Sequence, residues 1–227
     1  MQLIISKYGH LLLTAMGQTL LLALLRLFFA SIIGMIFGLM SVLHNRACRI
    51  IARIFVDVIR GVPMIVLAYF IYFGFPYLMN NMLGFDFTLT ALQAGTICLA
   101  LNCGAYMAEI IRGGIQSVDP GQMEAARSLG LTYGMSMRKV VLPQAIRNMV
   151  PSIINQFIIT LKDTSILSVI GFPELVNQAK NVVANTFMSF QTWGIVAIMY
   201  LVIILALSRS AKVLEKRLNR GRGHMPA

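Results

Sequence analysis

Apolar residues fall in five long stretches, separated by short polar runs that are mostly basic. A membrane-spanning helix needs about 20 predominantly apolar residues. Stretches of that kind cover about residues 11–43, 54–78, 89–111, 149–170 and 192–207. The first is long enough to tilt or to protrude. The fourth is the least clean, because Lys162 and Asp163 interrupt it. The first stretch lacks the short apolar core and small-residue cleavage pattern of a signal peptide, so it reads as a retained helix. The pattern predicts an all-α membrane protein with five transmembrane helices, forming a single transmembrane domain over residues 1–227. No internal repeat is visible, which argues against an inverted-repeat secondary transporter within one chain.

Charge gives the expected orientation. Of 227 residues only 12% are charged, against about 25% in a soluble domain. That deficit excludes an ordinary soluble enzyme and a disordered chain. The net charge is +11, but the basic residues sit between apolar segments, where they mark cytoplasmic loops rather than a nucleic-acid surface. Arg46, Arg49, Arg53 and Arg60 follow the first stretch. Arg112, Arg127, Arg138, Lys139 and Arg147 follow the third, and Arg209, Lys212, Lys216, Arg217, Arg220 and Arg222 form the tail. The opposite side holds Lys7 and Lys180, while Arg26 and Lys162 lie inside spans. The positive-inside rule then puts the N-terminus outside and the C-terminus in the cytoplasm, which an odd number of spans satisfies. Cys48, Cys98 and Cys103 have neither disulfide nor metal-ligand spacing, and no Met or His cluster has ligand spacing either.

The polar loop at 117–143 is patterned. Asp119 fits an N-cap, Pro120 the first helical position, and Gln122 the third-position partner of a capping box. Met123, Ala126 and Arg127 share a face and Gly130 provides a stop. A second short helix is expected to start after Thr132 and run to Val141. Two short helices on the membrane surface result, a pattern that a solvated amphipathic connector would share.

Five segments carry a family resemblance: RGVP at 60–63, YFGFP at 72–76, AYMAEIIRGGIQSVDPGQ at 105–122, EAARSLG at 124–130 followed by VVLPQAI, and NQFIITLKDTSILSVIGFPEL at 155–175. Their order and spacing resemble the polar amino-acid uptake permeases of ABC importers, the glutamine-type permeases among them, over roughly residues 19–218. The resemblance implies the type I ABC importer permease (MetI-like) fold. It also implies a coupling loop at 117–143 in which Glu124, Ala125, Ala126 and Gly130 dock into a cytoplasmic ATPase. No GxxxxGK[ST] phosphate loop is present, so this chain is not expected to be an enzyme or to hold a cofactor. ATP and Mg are expected in a partner. The implied partners are two ATP-binding subunits, a second permease chain (identical or similar), an external substrate-binding protein and an amino-acid substrate. The implied location is a bacterial plasma membrane. An ATP-independent channel or ion-coupled carrier is the alternative; it has no use for a docking helix.

Polar groups inside spans are costly and serve as functional hypotheses. Asn102, Tyr106 and Glu109 share a helix face, as do Gln156, Thr160 and Asp163, with Asn155 and Lys162 on a neighbouring stripe. With an amino acid as substrate, Asp163 is a partner for its ammonium, unless it pairs with Lys162. Asn102 and Gln156 can read a carboxylate or polar side chain. Tyr106, Asn155 and Thr160 complete the expected site or serve as glue between helices. Gln156, where an acid would suit a cationic substrate, favours an uncharged polar amino acid, glutamine first. Glu109 is expected to pair with Arg112 or act as a gate. Arg26 either snorkels from a tilted span or holds a carboxylate.

Overall fold

Asn45, Pro63, Thr90, Asp119 and Glu174 divide the chain into its helices, because each begins one. The computed structural model describes residues 2–219; Arg220 and Arg222 of the basic tail, and Ala227, lie outside the described residues. Helix α1 is Gln2–Val42 and α2 is Arg46–Gly61. Helix α3 is Met64–Met82, α4 is Ala91–Gln116 and α5 is Pro120–Ser128. Helix α6 is Tyr133–Ile170, α7 is Leu175–Thr186 and α8 is Ser189–Asn219. Among the described residues five helices are long and apolar enough to cross a membrane: α1, α3, α4, α6 and α8. The protein is therefore an all-α, multi-pass membrane protein, as its hydrophobic pattern predicts. At 41 residues, α1 is about 60 Å long, roughly twice the hydrocarbon thickness.

The second span starts later than the apolar run at 54–78 implies. Asn45 caps α2 by accepting from the Ala47 N–H at 2.9 Å. Arg46, Arg49, Arg53, Asp57 and Arg60 then form a polar stripe, while Ile50, Ile51, Ile54 and Val58 are exposed on other faces. Pro63 ends the element: it pushes Val62 to φ −89°, ψ 129°, which no helix continues. Residues 54–61 are thus the end of an amphipathic helix, and the stretch long and apolar enough to span is 64–82.

Helix α4 is the enclosed centre. Thr90 and Gln93 close a full capping box at its start. It packs against α1 through small residues. A Cβ on Gly34 would sit 2.5 Å from the Met107 Cβ, one on Gly38 2.8 Å from the Ile111 Cβ, and one on Gly104 2.7 Å from Ile33 Cγ2. Gly34 and Gly38 form the GxxxG spacing that lets membrane helices approach backbone to backbone.

The polar loop folds differently from two surface helices. Helix α5 forms, with Asp119 accepting from the Gly121 N–H at 2.7 Å. Gln122 does not close the capping box; its side chain accepts from Gln144 Nε2 at 3.3 Å and so ties α5 to α6. Gly130, at φ +83°, ends α5, with the Leu131 N–H returning to the Ala126 carbonyl. The segment after Thr132 is the first part of α6, passing through a wide π-turn at Met137–Val141 directly into the span. Helix α7, absent from the sequence reading, is capped by Glu174 and docks on α1: the Leu175 N–H donates to Thr19 Oγ1 at 3.2 Å. Leu175, Ala179 and Val182 pack there with Leu12, Ala15, Met16 and Val196.

Candidate functional site

Helices α4 and α6 each offer a polar stripe, and the α2–α3 corner closes over them. Between them lies a cavity of about 490 Å³ lined by Asn102 and Tyr106 from α4, Gln156 and Asp163 from α6, and Arg60, Val62, Pro63 and Met64 from the corner. Ile159 and Ile166 complete its apolar wall. Four of the six expected substrate residues therefore converge. The spacing that put Asn102 with Tyr106, and Gln156 with Asp163, on one face each is what brings them together.

Thr160 lies behind the cavity wall. It is 2% exposed, its hydroxyl donates to the Gln156 carbonyl, and it sits 3.7 Å from Cys103 Sγ. Gln156 Nε2 reaches Thr160 Oγ1 at 3.5 Å, so Thr160 orients the amide. Asn155 does not line the cavity: one residue from Gln156 is a 100° turn of the helix, and its side chain is exposed. Lys162 is exposed as well. Among the described residues it makes no ion pair with Asp163, because adjacent helix positions point apart.

Arg60, in the RGVP segment, joins the site although sequence spacing assigns it no role there. Its guanidinium lies 4.8 Å from the centre of the Tyr106 ring, and its Nη1 is 4.0 Å from Glu109 Oε2. Glu109 pairs in turn with Arg112, and Arg112 Nη1 donates to Gln116 Oε1 at 2.8 Å. A second polar cleft, about 310 Å³, begins at Arg60 and runs toward the α5 side between Asp57, Arg49, Arg53, Glu109 and Arg112. The RGVP segment was the sequence signal: a proline corner at a membrane edge fixes the arginine before it.

Arg26 does not snorkel. It is 0% exposed in the middle of α1, and Nε, Nη1 and Nη2 have no hydrogen-bond partner. In the segment expected to couple to an ATPase, Glu124, Ala125 and Leu129 are exposed, Leu129 by 85%, whereas Ala126 is buried at 4% against this chain. Ala126 therefore seats α5 on the bundle, with Met123 packing on the Ile111, Ile115 and Val141 cluster beside it. Among the described residues no group of His, Cys, Asp and Glu could hold a metal ion.

Residues 30–220 match the family model described as the binding-protein-dependent transport system inner membrane component. The chain is 38% identical over 208 residues to the glutamine transport system permease protein GlnP of Escherichia coli strain K12, spanning 92% of this chain and 93% of that one. The crystal structure of an amino acid ABC transporter with histidines superposes with a TM-score of 0.86 at 40% identity, covering 95% of this chain and 97% of that one. An inward-facing MetNI methionine ABC transporter shares the fold, with a TM-score of 0.75 at 18% identity over 92% of this chain and 97% of that one.

Proposed function

This chain belongs to the family of binding-protein-dependent transport system inner membrane components, and we propose that it carries an uncharged polar amino acid, glutamine first, into the cell. It is the permease subunit of an ABC importer, and ATP hydrolysis belongs to a separate chain. The observation that supports the substrate assignment is the convergence of Asn102, Tyr106, Gln156 and Asp163 on one cavity rimmed by Arg60. These groups match the ends of a zwitterion. Asp163 accepts from the ammonium, Arg60 holds the carboxylate as a charge-assisted pair, and the Asn102 and Gln156 amides read a polar side chain. Tyr106 supports Arg60 from below. The relatives named as glutamine permeases agree with this reading.

The substrate leaves through the arginine-lined cleft toward the α5 side, which is cytoplasmic in an arrangement with the N-terminus outside and the C-terminus inside. There α5 meets the ATPase through Glu124, Ala125 and the Leu129–Gly130 end, with Ala126 anchoring the helix from beneath. One chain supplies one such helix. Two ATP-binding subunits therefore require a second permease chain, and delivery comes from an external substrate-binding protein.

The test is to purify the chain with its ATPase and binding protein, reconstitute it, and measure ATPase stimulation by a panel of amino acids. Glutamine is expected to stimulate at lower concentration than lysine, arginine or glutamate. Stimulation by none of the amino acids would contradict the assignment.

A further inference from the structure

Arg26 is a full positive charge sealed inside the membrane domain. It stands 16 residues from the Val42 end of α1, about 24 Å along the axis, and none of its surface is exposed. One turn earlier, Leu22 packs with Ala94, Cys98 and Leu99; one turn later, Ala30 packs with Cys103 and Met107. The guanidinium is thus held between α1 and α4, with all three nitrogens unpartnered. Arginine stays protonated in proteins, and a buried charge is tolerated where an opposite charge balances it. Among the described residues Asp163 is the one carboxylate within its electrostatic reach. Ala30, one turn beyond Arg26, packs on Cys103, whose Sγ lies 3.7 Å from Thr160 Oγ1, and Asp163 follows Thr160 by one turn of α6, so both charges face the same junction of α1, α4 and α6. Asp163 also lines the cavity, whereas Arg26 is not part of its lining. No direct ion pair joins the two: the pairs within 4.0 Å among the described residues are those of Glu109 with Arg60 and Arg112. The attraction acts through a water-poor interior, where screening is weak.

We propose that Arg26 is the fixed counter-charge of Asp163 and makes the cavity select net-neutral amino acids over cationic ones. This rests on the amino-acid site proposed above. Arg26 balances Asp163 at the cavity wall, while Glu109, outside the lining, is shared between Arg112 and Arg60. A zwitterion with an uncharged side chain adds no net charge. Lysine or arginine adds one positive charge that nothing balances, and Arg26 repels it through the wall. Specificity here comes from a repulsive element as much as from contacts. Arg26 touches no substrate; it acts through Asp163 as a positioning residue.

The experiment uses the assembled, reconstituted transporter and reads ATPase stimulation by glutamine, lysine and arginine. Arg26→Met leaves Asp163 unbalanced and should improve the apparent affinity for lysine or arginine relative to glutamine at least tenfold. Arg26→Lys, which keeps the charge, should retain the wild-type ratio. An assembled Arg26→Met with an unchanged ratio overturns the proposal. If Arg26→Met fails to assemble, the double variant Arg26→Met/Asp163→Asn removes both charges and should assemble again. A double variant that still fails would show that Arg26 serves packing alone. Wild-type protein that responds to no amino acid would count against the amino-acid site itself, an outcome distinct from either.

Discussion

The Arg60 guanidinium lies over the Tyr106 ring, 4.8 Å from its centre, at the boundary between the cavity and the cleft that runs toward α5. Arg60 belongs to both spaces. A group that holds the carboxylate of a substrate at that boundary also directs its exit. With Arg60 holding the substrate carboxylate as proposed, Arg60→Gln should lose a charge-assisted hydrogen bond worth about 1.5–3 kcal/mol, or roughly ten- to hundredfold in apparent affinity. Tyr106→Phe keeps the ring and should stay near wild type, whereas Tyr106→Leu forfeits a cation–π contact worth about 0.5–1 kcal/mol. Concentration dependence of ATPase stimulation by glutamine separates the three variants; equal curves for all would remove Arg60 from the site.

Asp163 and Lys162 give a paired prediction. Asp163→Asn should weaken glutamine stimulation about tenfold or more, through loss of the ammonium contact. Lys162→Ala should change neither stimulation nor detergent stability, since Lys162 is exposed and makes no ion pair with Asp163. A destabilised Lys162→Ala would restore the ion-pair alternative.

Selectivity should also move with the amide of Gln156. Gln156→Glu adds an acid beside Asp163 in the cavity, and preference should shift toward arginine, lysine or histidine. The readout is the ratio of half-stimulating concentrations across the amino-acid panel. An unchanged profile would mean that substrate does not meet Gln156.

The end of α5 should be sensitive to shape. Gly130 adopts φ +83°, a conformation that costs an L-residue about 1–2 kcal/mol. Gly130→Asp and Leu129→Arg should leave the chain in the membrane but separate ATP hydrolysis from uptake. Ala126→Arg would act differently, forcing α5 off its seat because Ala126 is buried. Normal uptake by Gly130→Asp and Leu129→Arg would dissociate α5 from coupling.

Glu174 gives a pH signature. Burial pushes its carboxyl up to about 7, although the Val176 and Asn177 N–H groups and the Tyr200 hydroxyl favour the charged form. A carboxyl raised in the folded state stabilises the protein below its unfolded value of about 4.5 and loses that contribution as pH rises to about 7. Thermal stability in detergent should fall from pH 5 to pH 8, by an amount on the order of 3 kcal/mol at most, and Glu174→Gln should flatten the slope. An identical slope in both proteins would exclude Glu174 as its source.

What could be read from the sequence follows the physics of each feature. Five spans were legible because the hydrocarbon core demands unbroken apolar length. The boundary at Pro63 is not legible, since the exposed isoleucines of α2 look like the start of a span and the proline corner shows only in three dimensions. Helix α7 was invisible: its 12 residues are polar enough to read as loop, and its apolar face is defined only by α1 and α8. The α4 and α6 stripes located Asn102, Tyr106, Gln156 and Asp163, because helical spacing fixes which residues share a face. It does not fix which way the face turns. Asn155 therefore lies outside the cavity and Thr160 behind its wall. The same limit left Arg26 open between snorkelling and an interior role, until its place between Leu22 and Ala30 decided for the interior.

The most direct test of the central claim is uptake of radiolabelled glutamine into proteoliposomes containing this chain, its ATPase and its binding protein. Accumulation against a concentration gradient is expected with ATP on the ATPase side, and no accumulation with ADP or without the ATPase. Uptake that proceeds equally without ATP would contradict an ATP-driven importer and favour a channel or ion-coupled carrier.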